Sequence, residues 1–438
     1  MRLIKRISLL SELFYKHQDN WILTIFWNSL YTAFFLLPLG INLPTPFFIV
    51  SILLGLIHIF RFKKKFKIDD KALLLFPLYF VIMVCSLLYT ENLSAGIALV
   101  QRSLSLLFFP IIFLFVKEDA STVKKLFEFL LYGLILSFFL NFVLACYTVV
   151  GIINTEMSSL EMSAEGMSLL MYTLSDGLTN FLGAEFSSLV NPNYVSLYIL
   201  LVLSYYLKNQ LQSRLQAFIV FILFLYLFLL ASIAAYLILF IVSIMLISKI
   251  TNKSQKYTMV LMFFLGCIVF LQNPRVFDFY TNVTSIDRTL EIDNTSIERS
   301  RLLTWDASIK LIAKAPIFGY GIGDTNTVLV EKYKDLNYVL NYQNQYNAHN
   351  QFLQTFLQTG IIGFAVLLNV FIVLAFRMNR SRNEIAVFVI LFISLFFESM
   401  LVRFNGIVFF SIVIPLLLKK RSILSSRIIR NDAATKEF

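Results

Sequence analysis

QAFIVFILFLYLFLLASIAAYLILFIVSIMLIS, residues 216–248, runs for thirty-three residues without one Asp, Glu, Lys or Arg. A helix crosses a bilayer core in about 20 apolar residues, so this run is too long for one upright span. It fits two short spans joined near Ala231–Ala234. The composition around it agrees: 58% of the 438 residues are apolar and 14% charged, against roughly 45–50% and about 25% in soluble domains. With 46 Phe, 15 Gly, 9 Pro and 3 Cys, the chain suits neither a disordered tail, a collagen nor a disulfide scaffold. Lipid is the solvent such a chain requires.

Working outward, apolar runs recur at 21–40, 42–60, 72–90, 103–116, 126–151, 194–207, 257–272, 352–376, 385–399 and 405–418. Together with the central pair they predict an all-α integral membrane protein of about twelve transmembrane helices, one polytopic domain over 1–438. The basic residues then orient it. The N-terminal stretch, 61–71, 117–125, 208–214, 249–256, 377–384 and the C-terminal tail hold 27 of the 37 Lys and Arg. Cytoplasmic loops collect such residues, so both termini are expected inside, with the N-terminal stretch retained.

That orientation puts two sizeable segments outside, 152–193 and 273–351, while the internal connections stay short. The first carries Glu156, Glu161, Glu165, Asp176 and Glu185 with no Lys or Arg, and reads as a solvated acidic surface. The second is mixed in charge and partly helical. SIERSRLLTWDASIKLIAK, 296–314, places Leu302, Trp305, Ile309 and Ile312 on one helix face, and Pro316 then stops it.

Two stretches of this second segment carry a recognisable pattern. RLLTWDASIKLIAKAPIFGYGIGDTN, 301–326, has Arg, Trp four residues later, then a Pro-x-x-Gly-x-Gly turn. HNQFLQTFLQTGIIG, 349–363, has His-Asn, nine residues, then Gly-x-x-Gly. In this order they resemble the O-antigen ligase and polymerase superfamily of bacterial membrane glycosyltransferases. The resemblance implies a GT-C-like fold in the inner (cytoplasmic) membrane, with an active site on 273–351 facing the periplasm. It further implies an undecaprenyl-diphosphate-linked glycan donor and an acceptor that is lipid A core for a ligase, or a second lipid-linked glycan for a polymerase. No cofactor is implied. The superfamily's functional His and Arg match His349 and Arg301.

Chemistry supports those two positions independently. A departing diphosphate needs planar, permanently charged donors, as a guanidinium at Arg301 supplies. A sugar hydroxyl needs a base titrating near neutrality, and His349 at the start of a span is placed for it. Ligases of the superfamily usually add an Arg from the earlier external segment, just before an Asn-Pro-Asn-like motif. Here NPNYVSLY stands at 191–198, yet 126–207 contains no Arg or Lys. The substitute is expected among Arg102, Arg403, Arg299, Arg288 and Arg275. Asn350, Trp305 and Tyr346 are further candidates for substrate contact, with Tyr338 and Tyr342 nearby. Three His, three apolar-run Cys and no external Asp-x-Asp offer no metal site, and no nucleic-acid partner is expected.

Plainer readings stand beside these. Arg301 could pair with Glu298 on a solvated helix, His349 could anchor a helix at the head groups, and Arg102 could snorkel. Arg403 could pair with Glu398 across an external turn. A transporter or flippase is the rival class, but such proteins carry ionisable groups inside their spans, and 194–207, 216–248 and 257–272 have none.

Overall fold

The computed structural model describes residues 14–17, 20–62, 70–116, 120–157, 179–206, 213–248, 250, 252–274, 276, 297–378 and 382–419. Among them all regular structure is helical. Six helices are long and apolar enough to cross a membrane, within Trp21–Leu39, Lys71–Tyr89, Leu93–Phe115, Thr122–Ile152, Lys253–Leu271 and Gln351–Met378, and six shorter apolar helices accompany them. Each sequence-predicted run meets one of these helices, and the chain is an integral membrane protein.

The helices are α1 (Trp21–Leu36), α2 (Thr45–Phe62), α3 (Leu75–Cys85), α4 (Leu93–Arg102), α5 (Ser105–Phe115), α6 (Ala120–Met157), α7 (Pro192–Tyr206) and α8 (Arg214–Leu229). There follow α9 (Ile233–Ser248), α10 (Lys253–Leu271), α11 (Ile297–Ile312), α12 (Thr325–Asp335), α13 (Val339–Gln343), α14 (Gln351–Met378), α15 (Arg382–Phe397) and α16 (Phe404–Leu418). Polar caps start many of them: Asn20, Asn92, Ser213 and Asn252 each accept a backbone N–H from the first turn. The charge-free run divides as expected. α8 stops at Leu229, Ala231 takes a left-handed φ of 47°, and α9 starts two residues later.

α16 is apolar all round and buried at every position from Asn405 to Leu418, so it forms the bundle's hub. α10 has no buried residue and lies at the periphery. Cross-links sort the connections into two ends. At one, Lys125 reaches the Phe14 carbonyl, Arg377 pairs with Asp70, Asn383 donates to the Ser204 carbonyl and Lys419 to that of Val116. At the other, Tyr89 joins Phe318, the Glu91 and Asn92 amides join Asp324, and Asn193 joins Glu398. The first group comes from the loops rich in Lys and Arg, the second from the opposite set.

Three boundaries differ from the sequence reading. α6 continues to Met157, so 152–157 is helical rather than loop. The predicted 103–116 span starts earlier: α4 and α5 together form the apolar stretch 93–115, so Arg102 lies within it and not at its end. On α11, Leu302 and Ile309 are 58% and 59% exposed, while Thr304, Ala307, Ser308 and Leu311 are buried. Half of the apolar stripe read from the sequence therefore faces outward, while Trp305 is half-buried and Ile312 packs against the second core. The inward face carries small residues, which let α11 approach α12 and the start of α14 around a second core of Leu329, Tyr333, Tyr338, Ala348 and Leu357.

α14 is two helices joined at a break. Gly360 has φ 61° and ψ −158°, a region open essentially to glycine alone. Breaking a helix in a membrane frees backbone carbonyls that need donors. The glycine turn supplies them: Tyr320 N–H donates to Leu357 O at 2.7 Å and Gly321 N–H to Gln358 O at 3.0 Å, while Ile361 N–H reaches Pro316 O at 3.0 Å. A Cβ on Gly360 would strike the Ile317 carbonyl, and one on Gly319 the Leu357 carbonyl. The two glycine motifs thus serve each other as a backbone clasp.

Candidate functional site

The half-helix 351–359 differs from the rest of α14. Gln351, Gln354, Thr355, Gln358 and Thr359 are all buried on it. Buried amides and hydroxyls need partners, and here they order the chain around His349. Gln354 Oε1 accepts Ala348 N–H at 3.1 Å, and Gln351 Oε1 accepts Leu401 N–H at 2.6 Å. Thr355 Oγ1 takes Gln351 Nε2 at 2.9 Å and lies 3.1 Å from the Tyr79 hydroxyl. Asn350 caps the helix, its Oδ1 accepting from Phe352 N–H at 2.9 Å and Leu353 N–H at 3.2 Å. His349 sits just ahead with a left-handed φ of 43°, its own N–H donated to Asn347 Oδ1 at 3.0 Å.

The imidazole faces a carboxylate. His349 Nδ1 lies 3.4 Å from Glu398 Oε1, an ion-pair distance without the alignment of a hydrogen bond. The Glu398 side chain is 3% exposed and that of His349 17%. Ser399 N–H also reaches Oε1, at 3.2 Å, and Asn193 Nδ2 donates to Oε2 at 3.0 Å. Behind it, Ser232, in the break between α8 and α9, donates its hydroxyl to Asn193 Oδ1 at 3.0 Å. A chain of contacts thus runs from Ser232 through Asn193 and Glu398 to His349.

Burial alone would raise the Glu398 carboxyl, but His349, then Arg403 and Arg301, outweigh it and hold it at about 2. Arg301 on α11 and His349 therefore act on one carboxylate, although 48 residues separate them. Nearby, on α11 and α13, Asp306 is lowered: burial opposes ionisation, and bonds from Lys310 and Tyr338 overcome it. Asn341 ties α13 to α11 through the Ser300 carbonyl at 2.7 Å and Thr304 Oγ1 at 2.6 Å.

The remaining sequence candidates fall as follows. Tyr346 sets its ring edge-on to His349, centroids 5.2 Å apart. Trp305 is half-buried, and its buried Nε1 has no hydrogen-bond partner among the described residues. Arg403, exposed, ends the turn that follows Glu398, and Arg102 donates to the Val402 carbonyl of that turn at 3.2 Å. Asn350 spends its Oδ1 on capping. Tyr338 turns away to Asp306 at 2.7 Å, and Tyr342 is exposed. Arg275 and Arg288 lie outside the described residues, as does the Arg299 side chain.

Two residues of this site were missed by the sequence reading in their present role. Glu398 was noted only as a partner for Arg403, and Asn193 only as a letter of the Asn-Pro-Asn-like motif. Five of the buried polar atoms left without a hydrogen-bond partner among the described residues belong to Tyr194, Ser196, His349, Ser399 and Asn405, in the segments around Glu398. Among the same residues no three His, Cys, Asp or Glu side chains stand together as metal ligands.

Comparison with known families finds one match. A family model described as O-Antigen ligase matches residues 217–368. The match takes in about a third of the chain. The match starts in α8, takes in Arg301, the glycine turn and His349, and ends inside α14. Members of the O-antigen ligase and polymerase family are glycosyltransferase-like enzymes that use lipid-linked glycans. Glu398, Asn193, Arg102 and Arg403 lie outside the matched residues. No curated protein sequence matches the chain.

Proposed function

We propose that the chain is a membrane glycosyltransferase that moves a glycan from undecaprenyl diphosphate to a sugar hydroxyl on the periplasmic face, as an O-antigen ligase acting on lipid A core. The observation that carries this is the convergence of His349, Arg301 and Arg403 on the buried carboxylate of Glu398. About twelve helices of a GT-C-like bundle cross the inner membrane, with both termini cytoplasmic. The alternating charge of the connections supports this sidedness.

The chemistry follows from the geometry. With its Nδ1 turned toward the Glu398 carboxylate, the imidazole presents Nε2 as the nitrogen that takes the acceptor hydroxyl's proton as the new glycosidic bond forms. The bond from the anomeric carbon to the diphosphate breaks on the opposite side, and the configuration inverts. Arg301, with Arg403 and Arg102 near the same turn, meets the charge gathering on the leaving diphosphate. Trp305 and Tyr346 hold the sugars, and no metal ion takes part. The absence of any Lys or Arg in 126–207 favours one second reading, a polymerase of the same superfamily, which differs only in its acceptor.

Purified protein with an undecaprenyl diphosphate oligosaccharide, EDTA and lipid A core tests this. Inverted product on the core, lost in folded His349→Ala and Arg301→Ala variants, is the expected result. Lengthened donor glycan without core product makes the chain a polymerase. Donor bound but never transferred defeats the enzymatic reading, and a reporter after residue 340 found in the cytoplasm defeats the sidedness.

A further inference from the structure

A groove of about 560 Å³ lies between α3 with its closing turn Ser86–Tyr89, the glycine turn, and α14 at its break. Its walls include Ile82, Cys85, Leu88, Tyr89, Phe318 and Ile362, and the volume falls in the range of about 300–1,000 Å³ typical of ligand sites. The polar side chains beside it are already engaged. Tyr89 donates to the Phe318 carbonyl at 2.7 Å, Thr359 to the Thr355 carbonyl at 2.9 Å, and Ser86 to the Met83 carbonyl at 2.8 Å. Their hydroxyl protons are spent, so an anionic head group finds no hydroxyl donor there, whereas hydrocarbon fits.

The groove and the catalytic end share one rigid piece of chain. Thr359 ends the half-helix that begins at Gln351 beside His349, and nine helical residues span about 13 Å. An amphiphile reacting at His349 would need its hydrocarbon to begin within that distance. In a polyprenyl diphosphate donor only the diphosphate separates the reacting carbon from the tail. In a glycolipid acceptor, core sugars stand between the reacting hydroxyl and the acyl chains.

We infer that this groove binds the first isoprene units of the polyprenyl tail of the donor. The inference rests on the glycosyltransferase reading above. The glycine clasp shapes the site, because it sets Phe318 over the break where a continuous helix would carry a side chain instead of Gly360.

Cys85 reports occupancy directly. In a Cys146→Ala/Cys267→Ala protein in phospholipid nanodiscs, undecaprenyl diphosphate should slow labelling of Cys85 by a membrane-permeant maleimide at least fivefold, and inorganic diphosphate much less. No slowing, or equal slowing by an added saturated phospholipid, overturns the inference. In a second arm, Leu88→Trp and Ile362→Trp should raise KM for an undecaprenyl-linked donor at least ten times more than for a donor whose diphosphate carries a methyl group in place of the prenyl tail. An equal effect on both donors, or none on either, also overturns it. If the unsubstituted protein transfers no glycan, the glycosyltransferase reading fails, and the labelling arm still judges the groove.

Discussion

Two buried carboxylates stand at opposite ends of the bundle and are treated differently. Asp70 takes both arms of the Arg377 guanidinium, at 2.6 and 2.7 Å, and also accepts Ala72 N–H at 3.2 Å. Glu398 meets an imidazole at the looser distance of 3.4 Å, with arginines acting on it from further away and orphaned polar atoms around it. The first pair is short, bidentate and saturated, and it clamps segments 307 residues apart. The second keeps bonding capacity in reserve. Saturation serves stability, whereas a partly satisfied cluster can exchange partners when substrate arrives.

Substitutions at the two ends should separate these roles. His349→Ala removes the base and should lower transfer about 10³-fold at a temperature where the variant stays folded, although its thermal midpoint in detergent also falls because the buried Glu398 carboxylate loses its imidazole partner; transfer retained in the folded variant would erase the contrast. Glu398→Gln keeps the shape but not the charge and should cost about 100-fold in kcat, with less change in KM. Asn193→Ala should cost about tenfold and Ser232→Ala about threefold, in the order of their distance from the imidazole along the contact chain. Asp70→Asn should leave transfer intact and weaken the fold by about 1–3 kcal/mol, a modest figure because Arg377 is a quarter exposed. Loss of transfer in that variant at a temperature where it stays folded would mean the two ends are coupled.

The same comparison extends to pH. The Glu398 carboxyl is held at about 2 against an ordinary 4.5, so its contribution to stability is full above the unfolded value and fades as pH falls toward the folded one. The midpoint of unsubstituted protein should therefore drop between about pH 5 and pH 2 by more than that of Glu398→Gln. Parallel curves for the two proteins would show that the carboxylate is not stabilised by its neighbours.

Much of the fold was legible because a bilayer imposes a simple rule on sequence. Apolar runs of span length had to be helices, and 216–248 had to break near Ala231 because one helix could not hold it. The alternation of basic loops matched the two ends that the cross-links define. The packing face of α11 was not legible. Of the stripe Leu302, Trp305, Ile309 and Ile312, two residues face outward and two are half-buried, and α11 buries Thr304, Ala307 and Ser308 instead, since small residues allow close approach and Asn341 satisfies the hydroxyl and carbonyl there.

The site divides along the same line. His349 and Arg301 were readable because each lies in a local pattern of spacing, and the glycines were readable as turns. Glu398 and Asn193 carry no such pattern: one is a carboxylate a single residue past a span, the other an amide after a proline. By itself the sequence determined that this is a polytopic helical membrane protein with candidate chemistry on its long later loop, because hydropathy and helical period are local properties. Only the tertiary structure decided which carboxylate faces the histidine and which carbonyls the glycine turn satisfies. Those pairings join segments tens to hundreds of residues apart, and chain folding, not spacing, sets the distances between them.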